Sequence, residues 1–480
     1  MNAATSDPSR SQQPERHRDS FWSVAVHALR GDDPGRDYTS EPLHRAVLLL
    51  AIPNALEMLL TSLFYLVDTF WVSRLGRDAI AAVALTESVM FIIYGVSWGL
   101  SLVATAAVAR RIGEKQPEHA THMAAQILVL GVILSSALGL ILSSFASEIL
   151  QLMGADASVV TVGANFARVM FGFNLTVFLV SLLNAILRGM GRAVVAMHTM
   201  LLANALNLVI APCLIFGWGP FPLLGVTGAA VSVNMSRCIG ALYQLWHLVS
   251  SGSELSLRLH HLIPVFGMFR AIAVTAYGGI AQPLIGAISS IGLFKILAPY
   301  GIDAVAGYAI AIRLTSFALV PASGLANAST TLVGQNLGAG RPDRAEASVR
   351  VAMRFSVGFL GAFGIVFAIL ALPLVRLFTA KPDVIKHGTH ALWILSLSFP
   401  AQAAMACLAA AFYGSGDTST PTRLNFFCLL LGRVPLAWAL SDALGFGPIG
   451  VYIAEPVSYS ALALWSAFRF RQGRWKQQKI

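Results

Sequence analysis

Charge is scarce in this chain: Asp, Glu, Lys and Arg make up 12 % of 480 residues, against about 25 % in soluble domains. That excludes an ordinary water-soluble fold. Cysteine is almost as sparse, and Cys213, Cys238, Cys407 and Cys428 fall in or beside apolar runs without close spacing. They read as small core residues rather than as a disulfide framework or metal site. Histidine hardly enters the apolar runs, apart from His198 and His247 at their edges, so no base or metal set for an intramembrane enzyme is visible. Strict polar–apolar alternation is missing, which excludes a transmembrane barrel. Residues 1–42 are rich in Ser, Pro, Asp and Arg and lack the apolar centre of a cleaved signal.

What is present is hydrocarbon. Apolar residues are 56 % of the chain, in runs long enough to cross ~30 Å as helices of about 20 residues. Bare backbone is not tolerated in lipid, so closed helices are required. Spans are expected at 46–72, 79–109, 121–147, 157–187, 194–217 and 226–249, then at 264–298, 305–335, 347–377, 388–413, 421–442 and 449–468. The fold class is all-α and membrane-spanning, with twelve helices in two lobes of six. The lobes occupy 46–249 and 264–468, joined by a polar linker at 250–263 and flanked by a disordered tail (1–45) and a basic tail (469–480). Within the first tail, 21–29 is expected to form a short helix on the membrane surface.

The two halves repeat at a spacing of 225 residues. Gly76, Asp78, Gly99, Thr105, Gly113 and Pro117 return as Gly301, Asp303, Gly324, Thr330, Gly338 and Pro342, and Gly189 and Gly191 return as Gly414 and Gly416. An even number of spans per half makes the repeat parallel, about an axis along the membrane normal. Lys and Arg crowd one set of connectors, including Arg110, Arg111, Arg188, Arg192, Arg341, Arg344, Arg423 and the final tail. Those connectors are expected in the cytoplasm together with both termini. This bias accounts for the +10 net charge without a nucleic-acid partner.

Charged groups inside spans mark functional sites by default. Glu57 and Asp68 stand out because eleven residues at about 100° each place them within about 20° of one helix face, roughly 16 Å apart along the axis. A buried carboxylate without a fixed cation can exchange protons near neutral pH, although either acid would be inert if an inward-facing Arg neutralised it. Pro53 removes a backbone bond four residues before Glu57 and marks a point of bending. The 225 spacing puts Gln282 opposite Glu57 and Leu293 opposite Asp68, so proton handling is expected in the first half. Asn184 and Asn204 are expected to bond between helices, and Asn207, three residues on, shares a face with Asn204. Glu87, Arg168, Arg237 and Glu455 lie near span ends and are expected to be largely structural. His260 and His261 have no third ligand at useful spacing, so no metal site is expected, nor any cofactor.

The segments PNALEMLLTSLFYLVDTFWVSRLG (53–76), LRGMG (187–191), NALNLVIAP (204–212) and GVTGAA (225–230) resemble the multidrug and toxic compound extrusion transporters. The resemblance implies two six-helix lobes around a cavity and export of amphipathic organic cations against a proton or sodium gradient. It assigns Asp68 to protonation and ion coupling and Asn207 to the same polar cluster. A second acid often follows that asparagine by four residues in proton-coupled members; here the position is Ala211, and Glu57 is the candidate replacement. Acids typical of the sodium-linked NorM branch are absent from the seventh and tenth spans, so the proton-coupled, DinF-like branch is the closer likeness. The expected protein is a monomer of the inner, cytoplasmic membrane, with ion-coupling and substrate residues Asp68, Glu57, Asn207 and Gln282. A flippase for lipid-linked oligosaccharides or polyisoprenoids, drawing on Lys295, Arg237, Arg313 and Arg433, is the rival reading.

Overall fold

The protein is described here from a computed structural model covering residues 21–31, 36–250 and 258–478. Helices α1 (Phe21–Arg30), α2 (Leu43–Val72), α3 (Arg77–Gly113), α4 (Pro117–Ser144), α5 (Ala146–Leu152), α6 (Ala157–Gly172), α7 (Leu175–Gly189), α8 (Ala193–Phe216) and α9 (Val226–Val249) build the first half. The second holds α10 (Phe266–Leu297), α11 (Ile302–Gly338), α12 (Pro342–Arg376), α13 (Pro382–Ser396), α14 (Phe399–Gly414), α15 (Ser419–Asn425), α16 (Val434–Trp438) and α17 (Pro448–Arg471). Eight of the spans are long and apolar enough to cross a bilayer by themselves, and α6–α7 and α13–α14 add two as bent pairs. The other two, α9 and α17, are 24 residues each, about 36 Å at 1.5 Å per residue. Internal Arg237, Gln244 and Glu455 make them less apolar.

The single straight spans expected at 157–187 and 388–413 are each broken, by 40° and 49°. The breaks fall at equivalent places in the repeat. At each, a side chain competes for helix carbonyls: Asn174 donates to Phe171 O (2.7 Å) in one, Ser398 to Leu395 O (2.6 Å) in the other. The eleventh span widens into π-helix at Phe426–Arg433 and Ala439–Ala443, on either side of Pro435, which has no amide hydrogen for the ladder. By contrast α2 runs through Pro53 as one uninterrupted helix.

Close packing obeys the repeat. A Cβ added at Gly189 would approach Thr105 O to 2.9 Å, and one at Gly414 would approach Thr330 O to 2.5 Å. Between the halves, Gly113 meets the backbone of Gln335 while Gly338 meets that of Arg110, and Gly99 abuts Ile280 as Gly324 abuts Ala55. Each pair is the other shifted by 225, so the pseudo-two-fold axis runs between α3 and α11. The same symmetry places Lys115 at φ 57°, the counterpart of Gly340 at φ 68°.

These inter-lobe contacts gather at the arginine-rich end. There Thr331 donates to Arg188 O (3.0 Å) and Gln335 to Gly189 O (3.1 Å), and Ala46, Val47, Leu50 and Ala51 of α2 share a core with Ala328 and Leu332 of α11. Towards the other end the lobes have separate apolar cores. Small residues permit the backbones to touch at the arginine-rich end, and the Thr331 and Gln335 side-chain hydrogen bonds fasten the contact. A Gly113→Leu substitution is expected to wedge this end open. Spin labels at Gln116 and Asp343 in a cysteine-free background should then report a longer mean distance, and an unchanged distribution would show that the seam does not depend on this contact.

The N-terminal tail departs from expectation. Residues 1–20 and 32–35 lie outside the described residues, but α1 packs Val24 and Ala28 against Leu49 of α2, and residues 36–41 strap the arginine-rich end. Tyr38 donates to Gly191 O (3.2 Å) on one lobe, while Arg341 donates to Thr39 O (2.8 Å) and Arg344 to the carbonyls of Tyr38 (3.3 Å) and Glu41 on the other. The carbonyls of a turn at 38–41 facing two arginines are what order this stretch. The far tail also folds back, with Trp475 stacked on Phe470 and Lys476 2.6 Å from Glu346. Of the cysteines, Cys407 and Cys428 are buried as expected, whereas Cys238 lies on the exposed face of α9.

Candidate functional site

The first lobe encloses a cavity of about 220 Å³ walled by α2, α3, α7, α8 and α9. Its lining includes Glu57, Arg188, Asn184 and Arg237 together with the rings of Phe64, Tyr65, Tyr94 and Trp98. Glu57 sits at one end and is almost fully enclosed (1 % exposed). Arg188 Nη1 lies 3.1 Å from its Oε1 and 3.3 Å from its Oε2, and Asn184 Nδ2 donates to Oε1 at 2.8 Å. Gln244 in turn donates to Asn184 Oδ1. Arg188, assigned by sequence to a connector, is instead buried in the last turn of α7, because that carboxylate draws it inward.

Asp68 occupies a different setting on the same helix. Its charged neighbours are Glu87 of α3 and Arg237 of α9, and its Oδ1 is buried without a hydrogen-bond donor. Arg237 bridges this cluster and the cavity: its guanidinium is 5.4 Å from the Phe64 ring centroid, and its Nη1 has no acceptor. Tyr65 and Tyr94 pack edge to face beside it, 6.2 Å between centroids. Three carboxylates (Glu57, Asp68, Glu87) therefore face two guanidiniums (Arg188, Arg237), an excess of one negative charge if all are ionised. Buried polar groups are normally satisfied, so the orphaned atoms at the Asp68 end mark it as the unfinished part of the network.

The remaining predicted residues separate. Asn207 is buried in α8 and accepts from Ser232 (2.7 Å), leaving its Nδ2 without an acceptor; no described hydrogen bond joins it to Asp68. Asn204, three residues earlier, donates instead to Leu60 O of α2 (2.9 Å). Gln282 is not in the cavity but accepts from Tyr413 of its own lobe. Ala211 is packed in the apolar core. Among the aromatic rings outside the cavity, Phe171 is core, while Phe173 and Tyr277 are exposed. Lys295 and Arg313 are exposed. Arg433 is engaged by Ser289 (2.8 Å) and Glu455 (4.0 Å), with Tyr308 donating to Glu455 (2.9 Å), so the second lobe's polar cluster is closed. Sequence reasoning undervalued Glu87, Arg188 and Arg237. Each was visible as a charge near a span end, but only the fold shows which acids they meet.

The MatE family model matches residues 53–213 and 275–439, one block in each half. A FAD transporter of Shewanella oneidensis is 26 % identical, over 87 % of this chain and 92 % of the relative. A probable multidrug resistance protein NorM of Thermotoga maritima is 25 % identical, over 91 % and 94 %. A solved structure described as the outward-facing conformation of a multidrug resistance MATE family transporter superposes with a TM-score of 0.84 at 26 % identity, covering 92 % of this chain and 98 % of the other. Twelve spans, a parallel repeat and a polar cavity in one lobe are thus accompanied by similarity along both halves, and the chain belongs to the MatE family of multidrug efflux transporters, which are not enzymes.

Proposed function

We propose that this transporter exports amphipathic organic cations in exchange for protons, with Asp68 as the group that proton and substrate compete for. The observation that carries the reading is the single excess negative charge of the first-lobe network, left at the Asp68 end where one carboxylate oxygen lacks a donor. The arginine-rich end is cytoplasmic in this reading, by the positive-inside rule. The closed seam there makes the described state outward-facing. A proton arriving from outside cancels the excess charge, loosens a bound cation and lets Arg237 turn to Glu87. Rocking of the lobes then exposes the site to the cytoplasm, where proton loss restores the charge for the next cation. Coupling follows because proton and substrate each favour a different state.

A cavity of about 220 Å³ is below the ~300–1,000 Å³ of drug-sized pockets. It fits a cationic head group, with the apolar remainder extending between the lobes. Phe64, Tyr65, Tyr94 and Trp98 supply ring faces for such a head group. One observation favours a second reading, export of a flavin nucleotide: Arg237 presents an unpaired Nη1 among those rings. Binding titrations with tetraphenylphosphonium and with FAD, read by Trp fluorescence, separate the two. The cation is expected to bind more weakly as pH falls and FAD to bind poorly. Tight FAD binding lost in Arg237→Gln would replace the cation reading.

A further inference from the structure

We propose that Glu118, His260 and His261, with His122 completing the set, form a binding site for a divalent transition metal of the Zn²⁺ class that ties the inter-lobe linker to the first lobe. The proposal does not depend on the substrate or coupling ion. Sequence spacing offered only a histidine pair. The fold supplies the missing ligands by docking the turn at Leu259–Leu262 on α4, through a Gln126 side chain that donates to His261 O and Ile263 O (2.8 Å each) and accepts from Val265 N (2.9 Å). Docking brings the candidate ligand atoms of Glu118, His260 and His261 within 4.8 Å of one another. Glu118 Oε1 is already 2.9 Å from His261 Nε2. His122, four residues after Glu118 and so on the same face of α4, has its ring centroid 6.1 Å from that of His261.

Imidazoles with one carboxylate suit Zn²⁺, whereas Ca²⁺ and Mg²⁺ need more oxygens and a soft Cu⁺ site needs sulfur. Metal–ligand bonds of about 2.0–2.1 Å in a tetrahedral site place ligand atoms ~3.3 Å apart. The Glu118–His261 pair is close to that separation, and His260, exposed at the surface, has only to rotate inward. His261 Nδ1 currently faces the Arg258 amide at 3.3 Å. Coordination through Nε2 moves the ring proton from Nε2 to Nδ1 and displaces that amide. Loading therefore acts on the linker at residue 258, just before α10 enters the second lobe, and anchors it to α4 of the first.

The test is Zn²⁺ titration of the full, tag-free chain in detergent by calorimetry, with Co²⁺ absorption as the geometric readout. One site per chain is expected, with tetrahedral Co²⁺ bands and affinity reduced at least about tenfold in Glu118→Gln and in the surface variant His260→Ala, while His119→Ala leaves it unchanged. His261→Ala is expected to abolish the site, but removes a buried ring, so the exposed His260 variant carries the decision. Absence of Zn²⁺ binding, or binding that survives both Glu118→Gln and His260→Ala, overturns the proposal.

Discussion

Asp68→Asn is expected to reduce proton-driven transport to background while leaving the protein folded. The substitution preserves shape, and the oxygen it alters accepts no hydrogen bond that would be lost, so a melting temperature near that of the parent is expected. What changes is charge. Without Asp68, Glu57 and Glu87 balance Arg188 and Arg237, and the lobe no longer has an excess for a cation or proton to cancel. Cation affinity should fall at least about tenfold, roughly the 1.4 kcal/mol that one modest charge contact supplies, and its pH dependence should flatten. Retained pH-dependent binding in Asp68→Asn would move the coupling role to Glu57 or Glu87.

Arg188→Ala is the second large effect, and it falls on stability. Glu57 is enclosed and depends on Arg188 for its only described counter-ion. Removing one partner of a buried pair leaves a charge with no compensation and costs about 3–5 kcal/mol, so poor yield or a sharply lower melting temperature is expected. The paired replacement Glu57→Gln with Arg188→Met should recover most of the loss, because both charges go together. Recovery without transport would show that the pair also serves the cycle, as expected if Glu57 fills the role of the acid absent at Ala211. Full transport in the double variant would assign the pair to structure alone.

The fold was legible because its signals are local and repeated. Long apolar runs located all twelve spans to within about six residues at either end, and the glycines at 225-residue spacing turned out to be the positions where backbones touch, as at Gly113 and Gly338. The bends at 173–174 and 397–398 were hidden, since Asn174 and Ser398 bond carbonyls within their own turns and leave the hydrophobic pattern intact. The site was legible only in part. Helical periodicity put Glu57 and Asp68 on one face of α2, but their different surroundings depend on residues 100 or more positions away, Arg188 for one and Arg237 for the other. Gln282 illustrates the limit of the repeat: symmetry gave its position, and its own lobe gave its partner, Tyr413. The tail at 36–41 looked unstructured because its order comes from backbone carbonyls facing Arg341 and Arg344, and carbonyls carry no sequence signature.

Proton-coupled export of organic cations is measured with the unmodified chain in inverted vesicles. Uptake of a fluorescent cation is followed first under an imposed pH gradient, acidic inside, without sodium, and then under an inward-high sodium gradient at equal pH. Uptake under the pH gradient, absent under sodium alone and abolished by a protonophore, is the predicted result. Uptake driven by sodium alone would make sodium, not the proton, the coupling ion.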